Sequence, residues 1–319
     1  MSNKQFFFFI VVLRALSAII ITNAHYTNVY PYEIIANGGL LGDVLFFSIS
    51  GFCLSNMKDS FTNWFKRRAI RVYTPTLIAT LVFVLLGCYE VTSVRGAAKL
   101  FLWPTYYHFV GSIILLYIPF YFIVKHINLT TKKFAILSLS LLALQILIYF
   151  TVYDTNYYHI DKVREPMIWF LFLQSMLLGA YYRRVTEGEH PTISNILIGG
   201  GIVLTIGYFV SKLVFVKVEG LSQFQLLNQV ILFLLLWLTF RIFYAWEEKF
   251  KKMPQWLYKT VKYLADRTLE IYLVQYVLIF ALDTFTPFPL NWLIVTGSIL
   301  VAAHVLHCVS DKLLKKIGC

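Results

Sequence analysis

Charge is what this 319-residue chain has least of. Asp, Glu, Lys and Arg make up 14% of it, against about 25% in a soluble globular protein. Long polar stretches are scarce as well. The longest, from Ala245 to Tyr263, is too short to fold around a core of its own, so the sequence contains no separate soluble domain. Cysteine is sparse. Cys53, Cys88, Cys308 and Cys319 show neither paired nor metal-ligand spacing, which argues against a disulfide framework and against a cysteine-built metal centre. Cys319 also lacks the four-residue prenylation pattern. No internal repeat is evident, which argues against a transporter built from inverted repeats.

What the chain has in abundance is apolar sequence: 59% of its residues are hydrophobic. Runs of about 20 such residues fit membrane-spanning helices and not a barrel. Ten are expected, at 6–22, 39–55, 73–90, 106–124, 134–152, 166–182, 192–211, 225–244, 264–282 and 291–310. The fold class is therefore an all-α polytopic bundle of about ten spans, one integral-membrane domain over 1–319. The first run resembles a signal peptide in position, but it is long, holds Arg14 and has a poor cleavage site, so it reads as a span.

The net charge of +12 is distributed by topology. With the N-terminus inside, the inner segments hold 20 of the 28 Lys and Arg residues, including Lys4 and the cluster Lys66, Arg67, Arg68, Arg71. The outer loops hold six, among them Arg164, and Arg14 and Arg267 lie in spans. That asymmetry is the positive-inside pattern, with both termini cytoplasmic. It removes the reason to read the charge as a nucleic-acid surface.

Arg14 interrupts the first run. An arginine at the bilayer centre costs about 2.5–3.5 kcal/mol on insertion scales, so it faces the protein interior and marks function. His25 follows eleven residues later. On a continuous helix the two would lie about 20° apart around the axis and ~16 Å apart along it.

The second run, GGLLGDVLFFSISGFCLS, places Asp43 near its outer end, level with His25, and Ser50 two turns deeper, level with Arg14. Asp43 can orient His25 and raise its basicity, or simply serve the helix N-terminus. In the inner segment NWFKRRAIRVYTP, Arg67 and Arg71 share a helical face and suit phosphate binding. For Lys66 and Arg68 positive-inside topology is the better reading.

Further along, His108 lies near an outer end, with Tyr117 nine residues deeper. His108 reads as a second site group or as an interface residue beside the aromatic belt of Trp103, Tyr106 and Tyr107. In YLADRTLEIYLVQYVLIF, Thr268, Tyr272, Gln275 and Tyr276 form a polar stripe, and Glu270 is spaced to pair with Arg267. The stripe suits a cavity wall or ordinary interhelical bonding. His126, His159, His190, His304 and His307 suggest no partner, and no metal site is expected.

Four stretches, taken together, resemble the membrane-bound acyltransferase 3 family, bacterial proteins that O-acylate sugars. LRALSAIIITNAH carries Arg14 and His25 in that family's R-x10-H spacing. GDVLFFSISGFCLS resembles its G-x-D-x-FF-x-x-SGF segment. FKRRAIRVYTP resembles its R-x-x-R-x-x-P segment through Arg68, Arg71 and, one residue late, Pro75. YYHFVGSIILLYIPF resembles its H-x-W-F…L-Y-x-x-P segment through His108 and Tyr117. A late stretch, LEIYLVQ, departs from the pattern, with Gln275 where many members have histidine. The chain also lacks the C-terminal esterase-like domain of some members.

The resemblance implies acyl transfer, commonly of acetyl, from cytoplasmic acyl-CoA to a hydroxyl of a surface polysaccharide or its undecaprenyl-linked precursor, in the bacterial inner membrane. His25 is then the general base or a transient acyl carrier. Arg14 stabilises the thioester or the oxyanion, and Asp43 orients His25. Ser50 bonds the donor, Arg68 and Arg71 hold CoA phosphates, and His108, Tyr117 and Tyr272 complete the substrate-binding set. Two other classes stay open. A glycan or lipid flippase also suits an intramembrane arginine and a polar stripe. A polyprenol-dependent glycosyltransferase would use Glu33 as its carboxylate.

Overall fold

The computed structural model describes residues 6–102, 107–162, 166–185, 192–283 and 286–318. Lys4, Trp103, Tyr106, Arg164, His190 and Cys319, which enter the sequence reading, lie outside them. Among the described residues there is no strand. The helices are α1 (Phe8–Ala24), α2 (Gly39–Leu54), α3 (Phe61–Leu85), α4 (Val94–Leu102), α5 (His108–His126), α6 (Thr131–Val152), α7 (Ile168–Val185), α8 (Asn195–Lys217), α9 (Leu226–Ala245), α10 (Glu247–Lys251), α11 (Gln255–Asp266), α12 (Thr268–Leu282) and α13 (Leu290–Ile317). Short 3₁₀ turns precede α2 and α9.

Nine of the ten expected runs each fall on one of these helices, and the ninth in order, 264–282, is shared by α11 and α12. Seven described segments are long and apolar enough to cross a membrane, and α1 and α12 are shorter apolar helices. A helix is the natural solution there, because it satisfies its own backbone groups where no water can. Apolar side chains are exposed as well as buried in the core. Leu139 and Leu147 on α6 and Ile202 and Val203 on α8 are more than half exposed, as lipid-facing side chains are.

Three local expectations are corrected. The basic segment before the third run, expected as an inner loop between spans, is helical. It forms the first turns of α3, which starts at Phe61 and carries Pro75 inside it. The ninth run is not one helix. It breaks at Arg267, whose backbone (φ −114, ψ 15) leaves the helical region between α11 and α12. The helices α4, α10 and α11 were also not expected.

The helices divide into two compact units. The first comprises Met1–Leu13, Asp43–Met57 and Pro119–Val261, the second Arg14–Gly42, Lys58–Ile118 and Lys262–Cys319.

In the first unit α2 packs directly on α7. Gly51 faces the backbone of Met176 and Gly179 faces the backbone of Ser48, with no room for a Cβ on either glycine. Phe47 stacks on Phe172 with ring centres 4.1 Å apart. The carboxylate of Glu247 accepts hydrogen bonds from the amides of Phe8 (3.0 Å) and Phe9 (2.8 Å), neutralising the unpaired N–H groups of the first turn of α1. Gln225 ties down the segment before α7. Its Oε1 accepts from the amides of His159 (2.8 Å) and Ile160 (2.9 Å), and its Nε2 donates to the Tyr149 hydroxyl (3.0 Å).

In the second unit α12 and α13 run side by side, with α3 against both. The segment after α1 is fixed to this pair. Asn28 donates to Asp283 (3.0 Å), the Tyr26 hydroxyl bonds Thr296 (2.9 Å), and Asn291 donates to the Val29 carbonyl (2.9 Å).

Candidate functional site

The end of α1 follows from its sequence. After the apolar run comes Thr22–Asn23–Ala24–His25, and helical hydrogen bonding closes there with a tighter turn in which the His25 amide donates to the Thr22 carbonyl at 3.1 Å. The last carbonyls of a helix have no backbone partner. One of them, on Ile21, lies 2.8 Å from Nδ1 of His25. A carbonyl only accepts, so Nδ1 carries the proton and Nε2 carries the lone pair.

The other neighbours of this ring come from α12. Thr22 donates to Oε1 of Gln275 at 2.7 Å, which turns the Gln275 amide nitrogen toward His25, 3.5 Å from Nδ1. With Nδ1 already a donor to Ile21, that contact is a packing contact rather than a hydrogen bond. It blocks ring rotation on one side. Tyr276 meets the ring edge-on, with centres 6.5 Å apart. Burial pushes the His25 imidazole below its usual 6.5, opposed in part by the Ile21 hydrogen bond. The sequence reading missed this role of Gln275. Its signal was available in the i, i+1 pair Gln275–Tyr276 on the expected stripe.

Arg14 lies eleven residues back on α1 and is half-buried. Its carbonyl is 3.4 Å from the Thr268 hydroxyl, which also donates to Ala265 at 3.0 Å. Thr268 of the expected stripe is thus spent on the α11–α12 junction.

The arginines of α3 separate by face. Arg67 is exposed and ion-pairs with Asp59, and Arg71 is exposed. Arg68 is half-buried, one turn from the buried Trp64. Trp64 packs edge-on against Tyr117 of α5 with centres 5.6 Å apart, and the charge of Arg68 reaches the same hydroxyl. His108 opens α5 and is half-buried. The next residue, Phe109, packs on Tyr272 at 4.8 Å between ring centres. The second unit therefore holds Arg14, His25, Arg68, Arg71, His108, Tyr117 and Tyr272. Asp43, 6% exposed on α2, and the half-buried Ser50 belong to the first unit.

Two expectations on α12 and α13 are corrected. Glu270 does not pair with Arg267. It bonds Nδ1 of His307 at 3.0 Å, while Arg267 donates to Nδ1 of His304 at 3.0 Å and stacks on Tyr263. The residues i, i+3 on each helix cross-pair because the helices lie alongside each other. Among the described residues, no three His, Cys, Asp or Glu side chains converge as metal ligands do.

A family model described as an acyltransferase domain matches residues 7–308, nearly the whole chain. Comparison with curated proteins and with solved structures gave no match.

Proposed function

The chain belongs to the acyltransferase 3 family, and from that membership we propose that it moves an acyl group, acetyl in the simplest case, from acyl-CoA to a hydroxyl of a surface glycan or its lipid-linked precursor. Residues 1–319 act as one integral-membrane acyltransferase domain of the bacterial inner membrane. The observation that carries the reading is the fixed tautomer of His25. Its Nδ1 is held by Ile21, which leaves Nε2 as a base at the end of a membrane helix.

In the proposed reaction, Nε2 takes the proton of the sugar hydroxyl as its oxygen attacks the thioester carbonyl. The tetrahedral intermediate collapses with loss of the C–S bond, and the imidazolium returns its proton to the departing thiolate. A two-step route through N-acyl His25 uses the same nitrogen. About 16 Å of helix rise separates Arg14 from His25, and helical side chains lean toward the N-terminus. This supports a donor-side role for Arg14, at the thioester arm rather than at the hydroxyl. Arg68 and Arg71 hold the CoA phosphates. Tyr117 stands beside Arg68 on this donor side, and His108 and Tyr272 contact substrate. For Asp43 and Ser50 the support is the sequence: a carboxylate that raises histidine basicity and a hydroxyl that bonds the donor.

The direct experiment is transfer by purified protein in a bilayer supplied with labelled acetyl-CoA and glycan acceptor. Label on the acceptor supports the proposal. Unaltered acceptor moved across the bilayer supports the flippase reading instead.

A further inference from the structure

Three buried glutamines from three helices of the first unit line a cavity of about 30 Å³ between α6, α7 and α9. They are Gln145 (2% exposed), Gln174 (5%) and Gln229 (3%). The half-buried Leu142, Val230 and Phe233 complete its wall. Gln145 lies seven residues before the end of α6, and Gln174 six residues after the start of α7. The cavity therefore sits about 10 Å in from those helix ends.

The orientation of two of the amides follows from one carbonyl. The Ile160 oxygen only accepts, so the Gln229 atom 2.9 Å from it is Nε2. Gln229 then turns its Oε1 to Gln145, whose Nε2 donates to it at 2.6 Å. This chain of bonds ends on Oε1 of Gln145, an acceptor with no hydrogen-bond partner among the described residues. The Gln174 amide has none there either, at its oxygen or its nitrogen, and it lines the cavity. A primary amide carries two donors and an acceptor, and burying them without partners is costly.

We propose that this cavity is a hydration site, in which an ordered water accepts from Nε2 of Gln174 and donates to Oε1 of Gln145. A water needs roughly 10–15 Å³ of such space and two to four polar partners. The cavity meets both conditions and is too small for a sugar or a lipid headgroup. A lipid tail entering past Leu142, Val230 and Phe233 would leave the Gln174 amide unsatisfied. Through the water, Gln174 joins the network that holds the segment before α7, where Gln229 bonds the Ile160 carbonyl and Gln225 its amide. The hydrogen bonds then run from α7 through α6 and α9 back to the entry of α7. The site does not depend on which reaction the chain performs.

The test is proton-detected solid-state NMR of the full-length protein, with isotope-labelled glutamine side chains, in phospholipid bilayers. Magnetisation is transferred from water to the side-chain amides, and the Gln174 signal is identified by its loss in Gln174→Met. Gln225 is the dry reference, because it is fully buried and its Nε2 donates to Tyr149 and Tyr157. Build-up from water at Gln174 about fivefold faster than at Gln225 is expected of a bound water. Build-up no faster than at Gln225, or arriving from lipid acyl-chain protons instead, overturns the proposal. Val230→Phe adds a ring at the cavity wall. It should bring the water build-up at Gln174 down to the Gln225 level and leave Gln225 unchanged. Build-up at Gln174 that persists in a folded Val230→Phe variant contradicts the assignment.

Discussion

Nδ1 of His25, in the turn after α1, lies 2.8 Å from the carbonyl oxygen of Ile21 in the last turn of that helix. This contact ends α1, selects the tautomer and orients the ring in one step. A histidine needed only as a helix cap would be replaceable by another donor. His25→Asn retains a short donor for the carbonyl but has no base. It should insert and express as the wild type while acyl transfer falls at least 10³-fold, measured with labelled acetyl-CoA. Activity within tenfold of wild type would reduce His25 to a cap.

The pH profile follows from the sign of the shift. Burial lowers the pKa of His25 from its usual 6.5, and the reactive form is the neutral one. The rate is therefore full above that value and is lost as pH falls through the lowered pKa. The acid limb of kcat/KM should lie below pH 6.5 and disappear from the residual activity of His25→Asn. A limb above 6.5 would mean that an unburied or carboxylate-paired imidazole controls the rate.

Thr22 and Gln275 act on His25 only through position. Thr22→Val leaves the buried Oε1 of Gln275 without its donor, a cost of about 1–3 kcal/mol, and frees the amide to turn. The expected result is a kcat about tenfold lower with KM within twofold, restored by Thr22→Ser. A change in KM alone would point to substrate contact instead.

The three arginines on α3 should separate in donor kinetics. Arg68→Ala and Arg71→Ala each raise KM for acetyl-CoA about tenfold, the loss expected of a charge-assisted phosphate contact worth ~1.4 kcal/mol. Arg67→Ala changes it less than about twofold, since Arg67 is exposed and engaged with Asp59. Equal effects from all three would indicate a diffuse electrostatic role.

The α2–α7 contact predicts where the first unit breaks. Gly179→Val drives side-chain atoms into the Ser48 backbone, and overpacking of this kind costs about 1–3 kcal/mol. Its melting temperature in detergent should fall by several degrees. Gly199→Val on α8, where nothing stands in the way of a Cβ, should leave it unchanged.

The all-α character was legible because the helices coincide with long apolar runs, which satisfy their backbone groups best as helices. The start of α3 was not. Phe61 to Arg71 is too charged to read as a span, and helical periodicity there is carried by Trp64 and Arg68 facing Tyr117, a contact from another part of the chain. The break at Arg267 is equally a tertiary effect, since no proline or glycine marks it. In the candidate site, Arg14 and His25 stood out through cost and spacing. The partners of His25 did not, because Ile21 contributes only a carbonyl and Gln275 comes from 250 residues away. The cross-pairs Glu270–His307 and Arg267–His304 escaped for the same reason: same-helix spacing suggests a local pair, and the neighbouring helix supplies a better one.

The most direct test of the central claim is proton NMR of the surface polysaccharide from a deletion strain complemented with wild-type protein or with His25→Asn. The account predicts O-acyl signals with the wild type and none with the variant at equal membrane levels. Identical spectra from the two complemented strains would contradict it.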